Sequence, residues 1–174
     1  MSKANEAISK FKKVDISYDY STLPADIKNA LPHLKKAFDL ITTIFMRQQM
    51  EGLPEIYNQV MAGNDEEKKE FFKLFKGPWD QLADFKSVYP EFSDRPATCA
   101  MYPADITKEE WEKTLAEMSA EEKELMTDTY TVIVREEGKL KAVPYHVYYA
   151  EELGEIFEHL EAAADCVENE LLKE

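Results

Sequence analysis

Apolar residues at Leu31, Leu34, Phe38, Ile41 and Phe45 recur at spacings of three and four, the pattern of a helix that buries one face. Leu40 and Ile44 widen the stripe. Ser21 or Thr22 can cap this helix, Pro24 suits its first turn, and Gly52 ends the pattern. A long amphipathic helix is therefore expected near 24–50, with Pro32 as its point of weakness. A second stripe, Leu153, Ile156, Phe157, Leu160, Ala164, Val167 and Leu171, predicts another long helix over 149–173. Shorter helical patterns cover about 2–13, 53–62, 65–75, 107–118 and 119–126, and Trp79, Leu82 and Phe85 suggest one further turn.

Period two replaces the helical period in two places. Val14, Ile16, Tyr18 and Tyr20 alternate with polar residues and predict an extended segment. Tyr130–Arg135, a turn at 136–139 and Leu140–Val143 predict a β-hairpin at about 130–144, which must pack on something because a lone hairpin is marginal in water. Residues 86–104, with three Pro and two Tyr-Pro or Arg-Pro corners before Tyr102-Pro103, form the longest irregular stretch. The fold class that follows is mainly α (α+β): one multi-helix domain over 1–174 with one β-hairpin.

MYPADITKEEWEK, residues 101–113, sets an aromatic-proline corner against a helix start. Thr107 and Glu110 have capping-box spacing, Ile106 and Trp111 that of a hydrophobic staple, and Pro103 holds Tyr102 extended.

Charge narrows the functional classes. With 21 Lys and Arg against 35 Asp and Glu, the net charge is −14, which disfavours binding to phosphate backbones or anionic lipid. Cys99 and Cys166 form no CxxC, no apolar run approaches the roughly 20 residues of a membrane span, and the first residues lack a signal-peptide core. These features predict a soluble chain with reduced thiols in the cytoplasm.

No self-contained catalytic constellation is visible. His33, His146 and His159 lack metal-ligand spacing, there is no HExxH or G-x-S-x-G, and five glycines make no phosphate-binding loop. The acidic pairs, such as Glu66-Glu67 and Glu109-Glu110, fit helix first turns and solvated faces. No catalytic residue, metal ligand or cofactor is assigned within the chain. Trp79 fits a core plug or a ring that stacks on a ligand, core packing being the expected role, and Cys166 is expected to be a small core residue. The run Tyr145-His146-Val147-Tyr148-Tyr149 fits either packing or a cleft lining.

The order of several segments resembles the N-terminal region of the dipeptidyl peptidase III family of zinc peptidases. It is most like the branch that stands alone in bacteria and is fused to Nudix hydrolases in plants. The resemblance is carried by Leu34–Gln48 (LKKAFDLITTIFMRQ), Lys76-Gly-Pro-Trp-Asp80 with Leu82, Met101–Trp111 (MYPADITKEEW), Tyr130–Ile133, Gly138–Tyr145 (GKLKAVPY) and Tyr149–Leu153. Its motifs run in order from about residue 14 to the end.

The resemblance implies one wall of a two-lobed cleft that holds an extended peptide by its free amino terminus. The family's zinc is held by an HExxGH motif and a glutamate-bearing helix, and neither is in this chain, so zinc is expected only in a downstream region. The resemblance therefore implies a non-catalytic, cleft-wall part of a peptidase. Its partners are peptide or the downstream catalytic region, with nucleic acid and membrane excluded. An acidic wall suits a peptide ammonium, and Tyr102, Asp105, Tyr145 and Tyr148 are the residues expected to line the cleft and bind substrate. The alternative is a free-standing acidic module that binds proteins or peptides.

Overall fold

The structure, a computed structural model, describes residues 1–173. In chain order the elements are α1 (Lys3–Ile8), a 3-10 turn at Tyr20–Thr22, α2 (Ala25–Gln49), α3 (Leu53–Ala62), α4 (Glu66–Phe75), β1 (Trp79–Asp80) and β2 (Lys86–Ser87). They continue with α5 (Lys108–Glu117), α6 (Ala120–Thr127), β3 (Thr131–Glu136), β4 (Lys139–Pro144), α7 (Tyr145–Tyr148), α8 (Ala150–Cys166) and α9 (Glu170–Lys173). The fold is mainly α. No helix among the described residues is long and apolar enough to cross a membrane. The described residues divide into two compact units: residues 1–12 with 46–148, and residues 13–45 with those from 149 on.

The first unit closes around aromatic residues. Asp65 caps α4 by accepting from the Lys68 amide at 3.0 Å, and that helix turns Phe71, Phe72 and Phe75 inward against Ala4 and Ala7 of α1. Phe71 and Phe75 stack with ring centres 4.4 Å apart, and Tyr89 meets Phe71 edge-on at 5.5 Å. Trp79 is buried with Met46 and Leu53, and its indole N–H donates to the Ser93 carbonyl at 2.9 Å. A third cluster joins Met126 of α6 to Ile133 and Leu140 of the hairpin, with Trp111 and Leu115 of α5 against it.

The hairpin lies where its pattern puts it. Glu136 pairs with Lys139 across a two-residue turn, and both turn residues have positive φ, 49° at Glu137 and 78° at Gly138. That is the type I′ geometry whose twist matches the strands. α6 begins with a complete capping box between Ser119 and Glu122.

Several sequence expectations change. The turn of helix expected at 79–85 is instead a tiny hairpin, with Trp79 opposite Ser87 and Asp80 opposite Lys86. Asp80 prevents the helix: its side chain accepts from the Leu82 amide at 2.9 Å, and its carbonyl from the amides of Ala83 and Phe85. Asp84 and Phe85 then take positive φ. α1 stops at Ile8, where Ser9 caps it, well short of residue 13. At Thr107 only half the expected box forms: its hydroxyl accepts from the Glu110 amide at 3.1 Å, but the Glu110 carboxylate turns to Arg135. The single helix expected over 149–173 is split: α8 ends at Cys166, because Val167 is extended and the Glu168 amide donates to Asp26 at 3.0 Å, and α9 follows at Glu170–Lys173.

The second unit departs from its pattern in burial. α2 runs unbroken through Pro32 and matches its expected span. Its entry differs, because Ser21 and Thr22 lie in the 3-10 turn and Lys28 bonds the Pro24 carbonyl. The core shared by α2 and α8 is small: Ala30, Ala163 and Val167 are buried, with Ile27, Leu34 and Cys166 against them. Phe38, Ile41 and Phe45, expected on the buried face of α2, are exposed, as are Phe157 and Leu160 of α8.

Candidate functional site

The corner at 101–105 is held from three sides. Met101 accepts from the Ile133 amide of β3 at 2.9 Å, and Ala100 donates to the Gln48 carbonyl of α2 at the same distance. Tyr102 packs edge-on against Trp111, with ring centres 5.7 Å apart, and remains 42% exposed. Asp105 accepts from Arg135 at 3.2 Å. The same guanidinium makes a forked pair with Glu110 at 2.6 and 3.0 Å. Arg135 thus ties the corner, the first turn of α5 and β3 together. Its two carboxylates hold the guanidinium pKa above its ordinary value, and Arg135 in turn lowers that of Glu110.

Between this corner and β3 is a cavity of about 360 Å³, lined among others by Glu51, Cys99, Tyr102, Val134, Arg135 and Tyr148. The Tyr148 hydroxyl stands 3.5 Å from Glu51, and its ring faces the Arg47 guanidinium at 5.5 Å. Arg47 also pairs with Glu51 at 3.2 Å. Burial raises the Tyr148 pKa first, with the Glu51 charge adding to it and Arg47 opposing. Tyr148 is therefore a neutral hydroxyl beside a carboxylate near neutral pH, a donor placed to orient that acid.

Tyr102 and Tyr148 therefore share one cavity. Asp105 reaches it only through Arg135. Tyr145 lies elsewhere: its ring meets Tyr130 edge-on at 5.9 Å and its hydroxyl points to the Met101 sulfur at 3.7 Å. Burial raises its pKa, with Tyr102 and Tyr130 contributing. Glu51 and Arg135 were absent from the sequence-derived set. Glu51 carried one usable signal, its i,i+4 spacing from Arg47 at the end of the long helix. Arg135 carried none, since its partners lie 25 and 30 residues away.

The backbone next to the cavity also matters. The pairing of Glu136 with Lys139 and of Val134 with Lys141 turns the amide of Arg135 and the carbonyl of Ile133 away from β4. Among the described residues neither has a backbone partner.

Among the described residues, no group of three or more His, Cys, Asp and Glu is arranged to hold a metal. His33 and His159, distant in sequence, do meet with ring centres 6.0 Å apart, without a third ligand.

No protein-family model matches the chain, and no curated protein matches it. Solved structures do. The fold is similar to that of part of two dipeptidyl peptidase III structures. The chain aligns with dipeptidyl peptidase III from Caldithrix abyssi over 97% of its length at 32% identity and a TM-score of 0.85. It aligns with dipeptidyl-peptidase III from Corallococcus sp. strain EGB over 98% at 28% identity and a TM-score of 0.86. The chain spans 32% of each of those proteins, about a third of their length.

Proposed function

We propose that this chain is the N-terminal, non-catalytic cleft-wall domain of a peptidase of the dipeptidyl peptidase III type, in the bacterial and plant Nudix-fused branch, and that it helps hold the peptide substrate. The observation that carries the proposal is the match over nearly the whole of this chain to about a third of two such enzymes. The exposed stripe of α2 supports it, because an apolar row of this size needs a cover. In this reading the zinc-binding residues belong to the remaining two-thirds. The Glu51–Tyr148 pair would face the peptide ammonium, and the β3 edge its backbone.

The magnitudes favour a wall over a complete binding site. The β3 edge offers two backbone bonds, each worth about 0.5–1.5 kcal/mol net. Association costs roughly 4–15 kcal/mol in lost freedom. One wall alone therefore holds a peptide weakly, and affinity requires the opposite lobe.

The test is hydrolysis of a dipeptidyl substrate by the purified chain, with and without added zinc. No turnover is expected in either case. Zinc-dependent hydrolysis at one zinc per chain would overturn the proposal.

The second reading, a free-standing acidic peptide-binding module, draws on Glu51 in the cavity and the net charge of −14. It requires a basic peptide to bind the isolated chain at low ionic strength and to dissociate as salt is raised.

A further inference from the structure

The second unit contains a groove distant in sequence from the corner at 101–105. A cavity of about 360 Å³ is lined by Ile27, Ala30 and Leu34 of α2 and by Leu160, Ala164 and Leu172 of α8 and α9. The apolar surface continues from it along both helices. On α2, Phe38, Ile41 and Phe45 follow Leu34 at successive spacings of four, three and four. Phe38 is 62% exposed. On α8, Phe157 stands one turn from Leu160 and is 64% exposed. The two helices share a small cluster of Ala30, Ala163 and Val167, while the large side chains beyond it on both helices are exposed.

We propose that this groove docks an amphipathic helix with basic flanks, supplied by the remainder of the dipeptidyl-peptidase-III-like protein. The proposal rests on the domain reading above and goes beyond it by naming the element and its chemistry. Two arguments select that occupant. The exposed row from Leu34 to Phe45 spans about 16 Å at 1.5 Å per residue, the length of three helical turns. Its i, i+4, i+7, i+11 spacing is that of a surface that receives the anchors of another helix.

Charge is the second argument. α8 carries Glu151, Glu152, Glu155, Glu158, Glu161 and Asp165 and no Lys or Arg, and these six acids outweigh the excess of Lys28, Lys35, Lys36 and Arg47 over Asp26 and Asp39 on α2. Glu161 stands one turn from Phe157, at the margin of the apolar face. A helix with Lys or Arg flanking its apolar stripe is attracted, and an acidic one or a second copy of this acidic chain is repelled.

The probe is an acetylated Leu/Lys peptide of about 14 residues with helical i, i+3, i+4 leucine spacing, titrated onto the 174-residue chain by calorimetry. Its Leu/Glu counterpart serves as comparison. The Leu/Lys peptide is expected to bind, more weakly at higher salt, and Phe38→Asp or Leu160→Asp to weaken it at least about tenfold. Both sites are exposed, so an unchanged melting temperature confirms that the variants fold. Three results would overturn the proposal: equal binding of the Leu/Glu peptide, binding indifferent to Phe38→Asp, or a dimer of the chain that Phe38→Asp dissolves. Each leaves hydrolysis by the isolated chain unaffected, so failure of the groove is distinguishable from failure of the domain reading.

Discussion

The two units of this chain use apolar residues in opposite ways. In the first, short helices of ten residues or fewer and two small hairpins bury Phe71, Phe72, Phe75 and Trp79. In the second, two long helices carry a longer and cleaner apolar pattern, yet Phe38, Ile41, Phe45, Phe157 and Leu160 stay exposed. Periodicity therefore shows which face of a helix is apolar, while the elements available nearby determine whether that face is covered.

The sharpest way to break this comparison is to truncate one phenylalanine in each unit. Phe71→Ala removes a ring that is 0% exposed and stacked on Phe75, so the loss should be about 3–5 kcal/mol. Phe38→Ala, at an exposed site, should change stability by no more than about 0.5 kcal/mol in the isolated chain. Urea denaturation of both variants checks this. A large loss at Phe38 would mean that its ring is covered in solution, and the contrast between the units would disappear.

Glycine gives a second, smaller contrast. A Cβ at Gly77 would lie 2.9 Å from the Trp79 ring, so Gly77→Ala must displace a buried indole and should cost about 1–3 kcal/mol. Gly154 sits within α8 with nothing within 4 Å of an added Cβ. Gly154→Ala should stabilise the second unit by about 0.4–1 kcal/mol through helix propensity and loss of unfolded freedom. Opposite shifts in melting temperature are the expected outcome.

What was legible from sequence follows the range of the interactions. α4 could be read because everything that makes it is local: the Asp65 cap, the acidic first turn and the inward phenylalanines. The hairpin was equally local. Residues 79–85 misled because Trp79, Leu82 and Phe85 have helical spacing, while Asp80 satisfies the neighbouring amides in another way. The end of α8 depends on Asp26, 142 positions from the amide it accepts, so no local signal marks it. In the candidate site, Tyr102 and Tyr148 were singled out because aromatic residues at a Pro corner and after a strand stand out, and both line the cavity beside β3. Arg135 gained its role only through carboxylates brought to it by the fold.

A third prediction concerns helix starts in the first unit. Thr107→Ala should cost about 1 kcal/mol, because one amide of α5 loses its acceptor. Ser119→Ala should cost somewhat more, up to about 2 kcal/mol, because the complete box at α6 pairs both donors. Equal losses in a thermal-melt series would show that the missing half of the Thr107 box is immaterial.

The smallest effect compares one carboxylate from each unit. Glu110 is held below its ordinary pKa chiefly by its bond to Arg135, and Asp26 chiefly by the Glu168 amide. For both, the folded-state pKa lies below the unfolded one. Each therefore adds stability that is present above the unfolded value, near 4, and is lost as pH falls through the lower folded value. The causes differ in kind, and that makes them separable. Arg135→Gln should return Glu110 toward the ordinary carboxylate range and leave Asp26 where it is, read from side-chain carbonyl shifts in an NMR acid titration. Added salt should raise the Glu110 midpoint, because a pair that is about a quarter to a third exposed is partly screened. The Asp26 midpoint should respond less, since an amide donor carries no net charge. If Glu110 titrates at the same pH with or without Arg135, the guanidinium does not organise this corner, and Asp105 and Glu110 are held in place by their helix start and turn alone.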